Sequence, residues 1–224
     1  MAVVSKMDEH GTSIPYTHSM DGFIGIDEVG RGPLAGPVTV CACFVPDQKA
    51  VVKDIFGNTI RDSKKLSKRI RNNIYETIRK NGKIKYGVVY AISSRSSSYI
   101  DRHGITKAID ACIRSCLANL TKHGVDLNRV VVRVDAGIHI NGLNYTSHIK
   151  GDETFVEIAL ASVLAKVTRD ARMEYLSRHY DGYGWERNVG YGTKEHREAI
   201  LVLGTTKEHR ISFLKGFKLL DKTK

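Results

Sequence analysis

The stretch FIGIDEVGRGP, residues 23–33, decides how this chain is read. Phe23 to Ile26 is a short apolar run without helical spacing, which predicts a buried strand. It closes on two acids, Asp27 and Glu28, and Gly30, Gly32 and Pro33 then break it. An acid is costly inside a core, so Asp27 marks the edge of a sheet. Outward from there, Val38–Val45 (VTVCACFV) predicts a second strand. Ser63 or Ser67, in the polar loop DSKKLS, can cap a helix running to Lys80. Asn81-Gly82 predicts a turn, Ile84–Ile92 a third strand, and Ser93–Ser98 a loop. Ile105, Ile109, Ile113 and Leu117 give a helix over Gly104–His123 that stops at Gly124. Val130–Asp135 predicts a fourth strand, again closing on an acid, and Tyr145–Lys150 a short fifth. Asp152 opens a long helical pattern to His179. Two Gly/Tyr loops follow, then a helix from Thr193 to Gly204 and a basic, partly helical segment over 206–224. Strands in the first 150 residues with helices between them predict an α/β architecture carrying a helical C-terminal part. Residues 1–20 read as a flexible N-terminal arm and 21–224 as one domain.

The chain has 224 residues, 42% hydrophobic and 26% charged, which is globular rather than disordered composition. Thirty-five Lys and Arg against 24 Asp and Glu leave a net charge of +11. That excess favours a polyanionic partner, nucleic acid first, and charge alone leaves a solvated basic surface open beside it. Cys41 and Cys43 share one side of a strand, and Cys112 and Cys116 share one face of a helix. Neither pair has zinc-site spacing, so buried free thiols are expected. No apolar run is long enough to span a membrane, and the first ten residues are too polar for a signal peptide, so a soluble cytoplasmic protein is expected.

Asp27 and Asp135 each end an apolar strand, and sites in open α/β sheets form beyond the carboxyl ends of strands. Asp152 heads a helix, where Asp is also a good cap. Glu28 would face away from Asp27 in an ideal strand, unless the strand ends or bends there. Clustered carboxylates cannot all stay ionised unaided, and two divalent cations would remove the conflict. Oxygen ligands suit Mg²⁺ or Mn²⁺, and a two-metal carboxylate site serves phosphodiester hydrolysis. Spacing alone leaves this reading open beside a plainer one, in which Asp152 caps a helix, Glu28 faces solvent and Asp135 sits in a turn.

Larger blocks narrow the choice. GIDEVGRGPLAGP (25–37) closely resembles the opening motif of bacterial ribonuclease HII. DSKKL (62–66) resembles that family's next block, KGD (150–152) with ASVLAKVTRD (161–170) its third, and GYGTKEH (190–196) with HRISF (209–213) its last. The blocks stand in order across roughly residues 22–214. The resemblance implies a ribonuclease H-like fold: a central five-stranded mixed sheet, flanking helices and a C-terminal helical region. It implies an endonuclease acting on RNA paired with DNA and nicking 5′ of single ribonucleotides in duplex DNA. The products would carry 3′-hydroxyl and 5′-phosphate ends, formed with two Mg²⁺ or Mn²⁺ ions. The family's four metal-binding carboxylates map onto Asp27, Glu28, Asp135 and Asp152. Its 2′-hydroxyl-reading turn maps onto Gly30, Arg31 and Gly32, its junction-stacking tyrosine onto Tyr191, and a phosphate-proximal lysine onto Lys64. The partners implied are RNA–DNA hybrid and ribonucleotide-containing DNA, with no membrane, and the chain is expected to act as a monomer. One departure is Ala136-Gly137 after Asp135, where many members carry Gly-Asn, which bears on the local loop.

These residue types suit that chemistry. The 2′-hydroxyl marks a ribonucleotide, and a glycine-rich turn lets backbone approach it closely. Arg31 can fork onto a flanking phosphate. Tyr191 can stack on a sugar or base, and a deoxyribose 3′ of the ribonucleotide packs closer than a ribose. Asp170 lies about 27 Å along a continuous helix from Asp152, and Lys166 about 21 Å. Both acids cannot serve one cluster, and the resemblance of KGD (150–152) to the family block makes Asp152 the expected ligand; Lys166 reaches only a distal phosphate or is a surface lysine. His196 and His209 read as proton shuttles or as solvated side chains, and the basic tail (Lys215, Lys218, Lys222, Lys224) as salt-sensitive backbone affinity. The competing readings are a nuclease of the same fold acting on DNA, and a nonenzymatic binder using the positive charge.

Overall fold

The computed structural model describes residues 5–7, 13–15, 21–57, 65–138 and 140–215. Within the first 20 residues, β1 (Ser5–Met7) and β2 (Ser13–Pro15) pair as an antiparallel ribbon. The main sheet holds β3 (Gly22–Val29), β4 (Val38–Val45), β5 (Val89–Arg95), β6 (Val130–Asp135) and β7 (Thr146–His148), in the order β5-β4-β3-β6-β7. The pairs β3/β4 and β4/β5 are antiparallel, whereas β3/β6 and β6/β7 are parallel. It is a five-stranded mixed sheet, with helices on both faces.

Alternation decides which helix each residue meets. Ile24, Ile26, Val40, Ala42, Val132 and Val134 belong to one buried cluster with Ile109, Cys112, Ile113 and Cys116 of α4 (Ile105–Lys122). Cys41, Cys43 and Val45 belong to a second, with Leu160, Val163 and Leu164 of α6 (Val156–Ser177). All four cysteines are unpaired and buried, two on each side of the sheet, and burial raises the pKa of each thiol. A third cluster, around Met173, Tyr183, Trp185 and Ile200, seats the C-terminal helices α7 (Trp185–Asn188) and α8 (Lys194–Leu203).

Several boundaries differ from the sequence reading. Of the two candidate caps, the Ser67 hydroxyl accepts the Ile70 amide at the start of α2 (Lys68–Tyr86). That helix runs through Asn81-Gly82, because Ile74, Ile78, Gly82 and Tyr86 recur every four residues on its buried face. It stops at Gly87, whose φ of +65° is left-handed, so the third strand starts at Val89 and not Ile84. Ser93 and Ser94 belong to that strand, and Ser96 caps α3 (Ser97–His103). An unanticipated helix, α1 (Gln48–Phe56), starts where the Asp47 carboxylate accepts two amides. The pattern opening at Asp152 is broken: α5 (Gly151–Thr154) ends at an extended Phe155 before α6 begins. In the basic segment after Gly204, Ile211–Phe213 forms a single 3-10 turn.

Candidate active site

The site forms where β3 and β6 end side by side. Their parallel register pairs Ile26 with Val134, which brings Asp27 next to Asp135. Ile26 and Val134 face α4, so both acids face α6. The helix follows β3 in step. A Cβ on Gly25 would sit 2.1 Å from the Glu157 backbone, Ser162 hydrogen-bonds the Asp27 side chain, and Gly30 lies against Arg169. Five residues of strand cover about 17 Å and twelve of helix about 18 Å, so the two elements stay matched. Lys166 lies one turn beyond Ser162, at the level between Asp27 and Gly30. Its ammonium pairs with Asp170 at 2.7 Å.

The acids crowd one another. Asp27 is 8% exposed; burial first, then Glu28, lifts its pKa to about 8. Asp135 adds to that lift, while the Ser162 hydroxyl and the Glu28 amide oppose it. Glu28 is also raised, first by burial, with Asp135 adding and Arg31 opposing. β3 runs straight past it: Asp27, Glu28 and Val29 pair with Cys41, Val40 and Thr39. Glu28 therefore points to the opposite face from Asp27, toward Arg31 at 3.6 Å. Asp152 is buried in α5, and the amide of the preceding Gly151 donates to Asp135 Oδ1 at 3.0 Å. Asp27 Oδ1 likewise accepts the Glu28 amide at 2.8 Å. Among the described residues, no three potential ligands converge closely enough to hold an ion. Asp27, Glu28 and Asp135 share an edge, where Glu28 and Asp135 raise the pKa of Asp27 and Asp135 raises that of Glu28, with Asp152 beside them. The donor set is all oxygen, and a divalent cation would relieve the crowding that holds Asp27 up, so these residues fit such an ion.

Beside the acids, Gly30 to Pro37 forms a loop held by two buried arginines. Arg210 donates to Gly30 O at 2.6 Å, to Arg31 O at 3.0 Å, and to Gly36 O at 2.9 and 3.0 Å. Arg169 donates to Pro37 O at 2.9 Å, Val189 O at 3.0 Å and Ala35 O at 3.3 Å. Among the described residues neither has a carboxylate in ion-pair contact. Burial, with Arg169 adding, lowers the Arg210 pKa to about 9, which leaves it charged at neutral pH. The Arg31 guanidinium, half exposed, reaches Gly137 O at 3.0 Å. The Ala136-Gly137 departure thus sits directly under Arg31.

Tyr191 completes this edge. Its ring is 44% exposed and lies beside Gly32, whose Cβ position is 3.9 Å from the Tyr191 ring. Its backbone is pinned. The five successive carbonyls from Asn188 to Gly192 accept, in turn, from Tyr191 N, Arg169, Leu34 N, His196 Nδ1 and Arg197. His196 and His209, expected on the surface or as shuttles, are both buried in an aromatic box with Trp185 and Tyr183.

The structure therefore brings Asp27, Glu28, Asp135 and Asp152 to one edge, with Gly30, Arg31, Gly32 and Tyr191 adjoining. Lys64 lies outside the described residues, as do Lys218, Lys222 and Lys224. Sequence reasoning missed the loop-holding roles of Arg169 and Arg210, the Ser162 contact to Asp27, and the burial of both histidines. All five residues sit in blocks already singled out: Ser162 and Arg169 in ASVLAKVTRD, His196 in GYGTKEH, His209 and Arg210 in HRISF. Charged residues inside an apolar helical pattern were the available signal.

The family model described as ribonuclease HII matches residues 24–216. The ribonuclease HII of Shouchella clausii (strain KSM-K16) is 43% identical over 189 residues, covering 84% of this chain and 67% of that one. That of Orientia tsutsugamushi (strain Ikeda) is 42% identical over 190 residues, 84% of each. Among solved structures, the ribonuclease HII bound to PCNA from Archaeoglobus fulgidus superposes with a TM-score of 0.65 at 26% identity, covering 85% of this chain and 94% of that one. The Bst ribonuclease HIII–Mn²⁺ complex shares the fold with a TM-score of 0.61 at 19% identity, covering 83% of this chain and 62% of that one.

Proposed function

The chain belongs to the ribonuclease HII family, metal-dependent nucleases that hydrolyse RNA paired with DNA, and from that premise we propose that it also nicks duplex DNA 5′ of a single embedded ribonucleotide. The observation that carries the proposal is the Gly30–Gly32 turn standing beside the acid edge with Tyr191 against Gly32. A turn without side chains lets peptide groups reach a 2′-hydroxyl, the local mark of a ribonucleotide. Arg31 is half exposed and would take a flanking phosphate. The exposed Tyr191 ring would pack on the sugar 3′ of the ribonucleotide, and Lys64 would hold a phosphate. Residues 21–224 would act as one catalytic domain, in a monomer.

Asp27, Glu28, Asp135 and Asp152 would hold two divalent ions, Mg²⁺ or Mn²⁺; a fold neighbour is titled as a Mn²⁺ complex. Such ions activate water and stabilise charge on the attacking and leaving oxygens. The chain's own groups prepare that centre. The Ser162 hydroxyl favours the ionised form of Asp27, and the Gly151 amide orients Asp135. The net charge of +11 draws the polyanion in. Water attacks in line at the phosphate 5′ of the ribonucleotide and leaves 3′-hydroxyl and 5′-phosphate ends.

A cleavage assay tests this on labelled duplex DNA carrying one ribonucleotide, in Mg²⁺, Mn²⁺ or EDTA, beside an all-DNA duplex. The expected result is one metal-dependent nick 5′ of the ribonucleotide, none in the control, and a loss of at least ~100-fold in Asp135→Asn. Cleavage of continuous hybrid without a nick at the lone ribonucleotide overturns the substrate assignment. Near-normal turnover in Asp135→Asn overturns the ligand assignment.

A further inference from the structure

The buried histidine pair is built around Tyr191, and its hydrogen bonds assign every ring proton. Trp185 Nε1–H, which can only donate, lies 3.0 Å from His196 Nε2, so that nitrogen accepts. His196 Nδ1 lies 2.9 Å from Tyr191 O, a carbonyl that can only accept, so the proton of a neutral His196 is on Nδ1. The Thr206 amide donates to His209 Nδ1 at 2.9 Å. The His209 proton is therefore on Nε2 and points at His196 Nε2, 3.2 Å away. The bonds close with both rings neutral, and a proton added to His196 Nε2 would face two donors.

We infer that His196 is a positioning residue: its Nδ1–H fixes the Tyr191 carbonyl, and with it the angle at which the Tyr191 ring meets the sugar at an RNA–DNA junction. The inference rests on the proposed contact of Tyr191 with that sugar. It adds a residue that touches no substrate and acts on junction preference. Three features support it. The donor reaches the backbone of the one residue in the loop whose ring is exposed beside Gly32. The neighbouring carbonyls have donors of their own, the Leu34 amide at Gly190 and Arg197 at Gly192, so His196 is the side chain that holds this one peptide, beside the Thr193 amide. His196 itself is locked from behind by Trp185 and His209.

Two isosteric variants separate positioning from bulk structure. In His196→Asn the side-chain amide stands near the Nδ1 place and donates to Tyr191 O, but loses Trp185 and His209. In His196→Gln the amide reaches the Nε2 place and keeps those buried partners, but loses Tyr191 O. Steady-state kinetics would compare a duplex with one ribonucleotide against a continuous hybrid, with Tyr191→Ala as reference. We expect His196→Gln to raise KM on the single-ribonucleotide duplex by ~10-fold, with kcat and the hybrid KM within about 3-fold, as Tyr191→Ala does. His196→Asn should stay close to the parent. A purely structural histidine reverses that order, with Asn the worse variant, and overturns the inference. A shift in Tyr191→Ala without one in His196→Gln also overturns it and leaves the Tyr191 reading standing. No shift in Tyr191→Ala removes that reading, and the inference with it. Trp185 is the only tryptophan, so its emission reports whether each variant keeps the buried box. The unsubstituted protein gives a check that needs no variant: ¹⁵N spectra must show His196 protonated at Nδ1 and His209 at Nε2, and the opposite tautomers overturn the inference.

Discussion

Replacing Arg210 with Lys tests whether the Gly30–Gly36 loop is held by a fork or only by a charge. The guanidinium makes four hydrogen bonds to three carbonyls, those of Gly30, Arg31 and Gly36. An ammonium keeps the charge, and so the attraction for polyanion, but has one donor centre and satisfies one of these carbonyls well. The other two are left without this donor. Gly36 O keeps the Ser97 hydroxyl at 3.2 Å, so one acceptor is orphaned, at about 1–3 kcal/mol, centred near 2. For a domain of this size each kcal/mol lowers Tm by about 2–4 °C, which predicts a fall of about 4–8 °C. Thermal unfolding measures it, with Arg79→Lys as control; Arg79 pairs with Glu76 on the surface, and that change should stay within ~0.5 kcal/mol. The KM on single-ribonucleotide duplex should rise in Arg210→Lys, because the turn at Gly30–Gly32 loses its brace. A Tm within about 3 °C of the parent, with unchanged KM, would refute the reasoning.

Two further predictions follow from the same edge. Gly30 has a φ of +86°, and a Cβ there would stand 2.1 Å from Arg169 Nε, so Gly30→Ala combines left-handed strain with a displaced buried arginine. About 2–5 kcal/mol of stability should be lost in denaturant titration, and a loss under ~0.5 kcal/mol would show that Arg169 is not wedged there. His209 is held down to about 4, by burial first and His196 second, against an ordinary 6.5. The folded state then binds fewer protons than the unfolded one between these values, so stability is full above pH 6.5 and drains as pH falls toward 4, by about 3 kcal/mol. His209→Gln should flatten the slope of stability against pH in that window; an unchanged slope would place the acid sensitivity elsewhere.

The strands were the most legible part of the fold. β4 and β6 stand where the sequence put them, because apolar β-branched runs between breakers admit few alternatives. The helix starting at Ser67 was legible in its cap but not in its end, since the packing of Gly82 against Ile78 outweighs the turn tendency of Asn81-Gly82. The break at Phe155 was invisible, as helical spacing resumes across it. At the site, strand-terminal acids announced Asp27 and Asp135 one at a time. That they are neighbours depends on the parallel pairing of β3 with β6, a contact across more than 100 residues that no local pattern encodes. The roles of Arg169 and Arg210 were hidden for the same reason: their partners are backbone carbonyls, which carry no side-chain signature.

The tie between Arg210 and Gly30 spans 180 positions of chain. At roughly 5–20 residues per second of synthesis, about 10–40 s separate the appearance of the turn from that of its brace. All four acids are made well before Arg210. In a nascent chain the Gly30–Gly36 loop and the acids are therefore present before the loop's brace, which arrives late, as one event, when the HRISF segment docks.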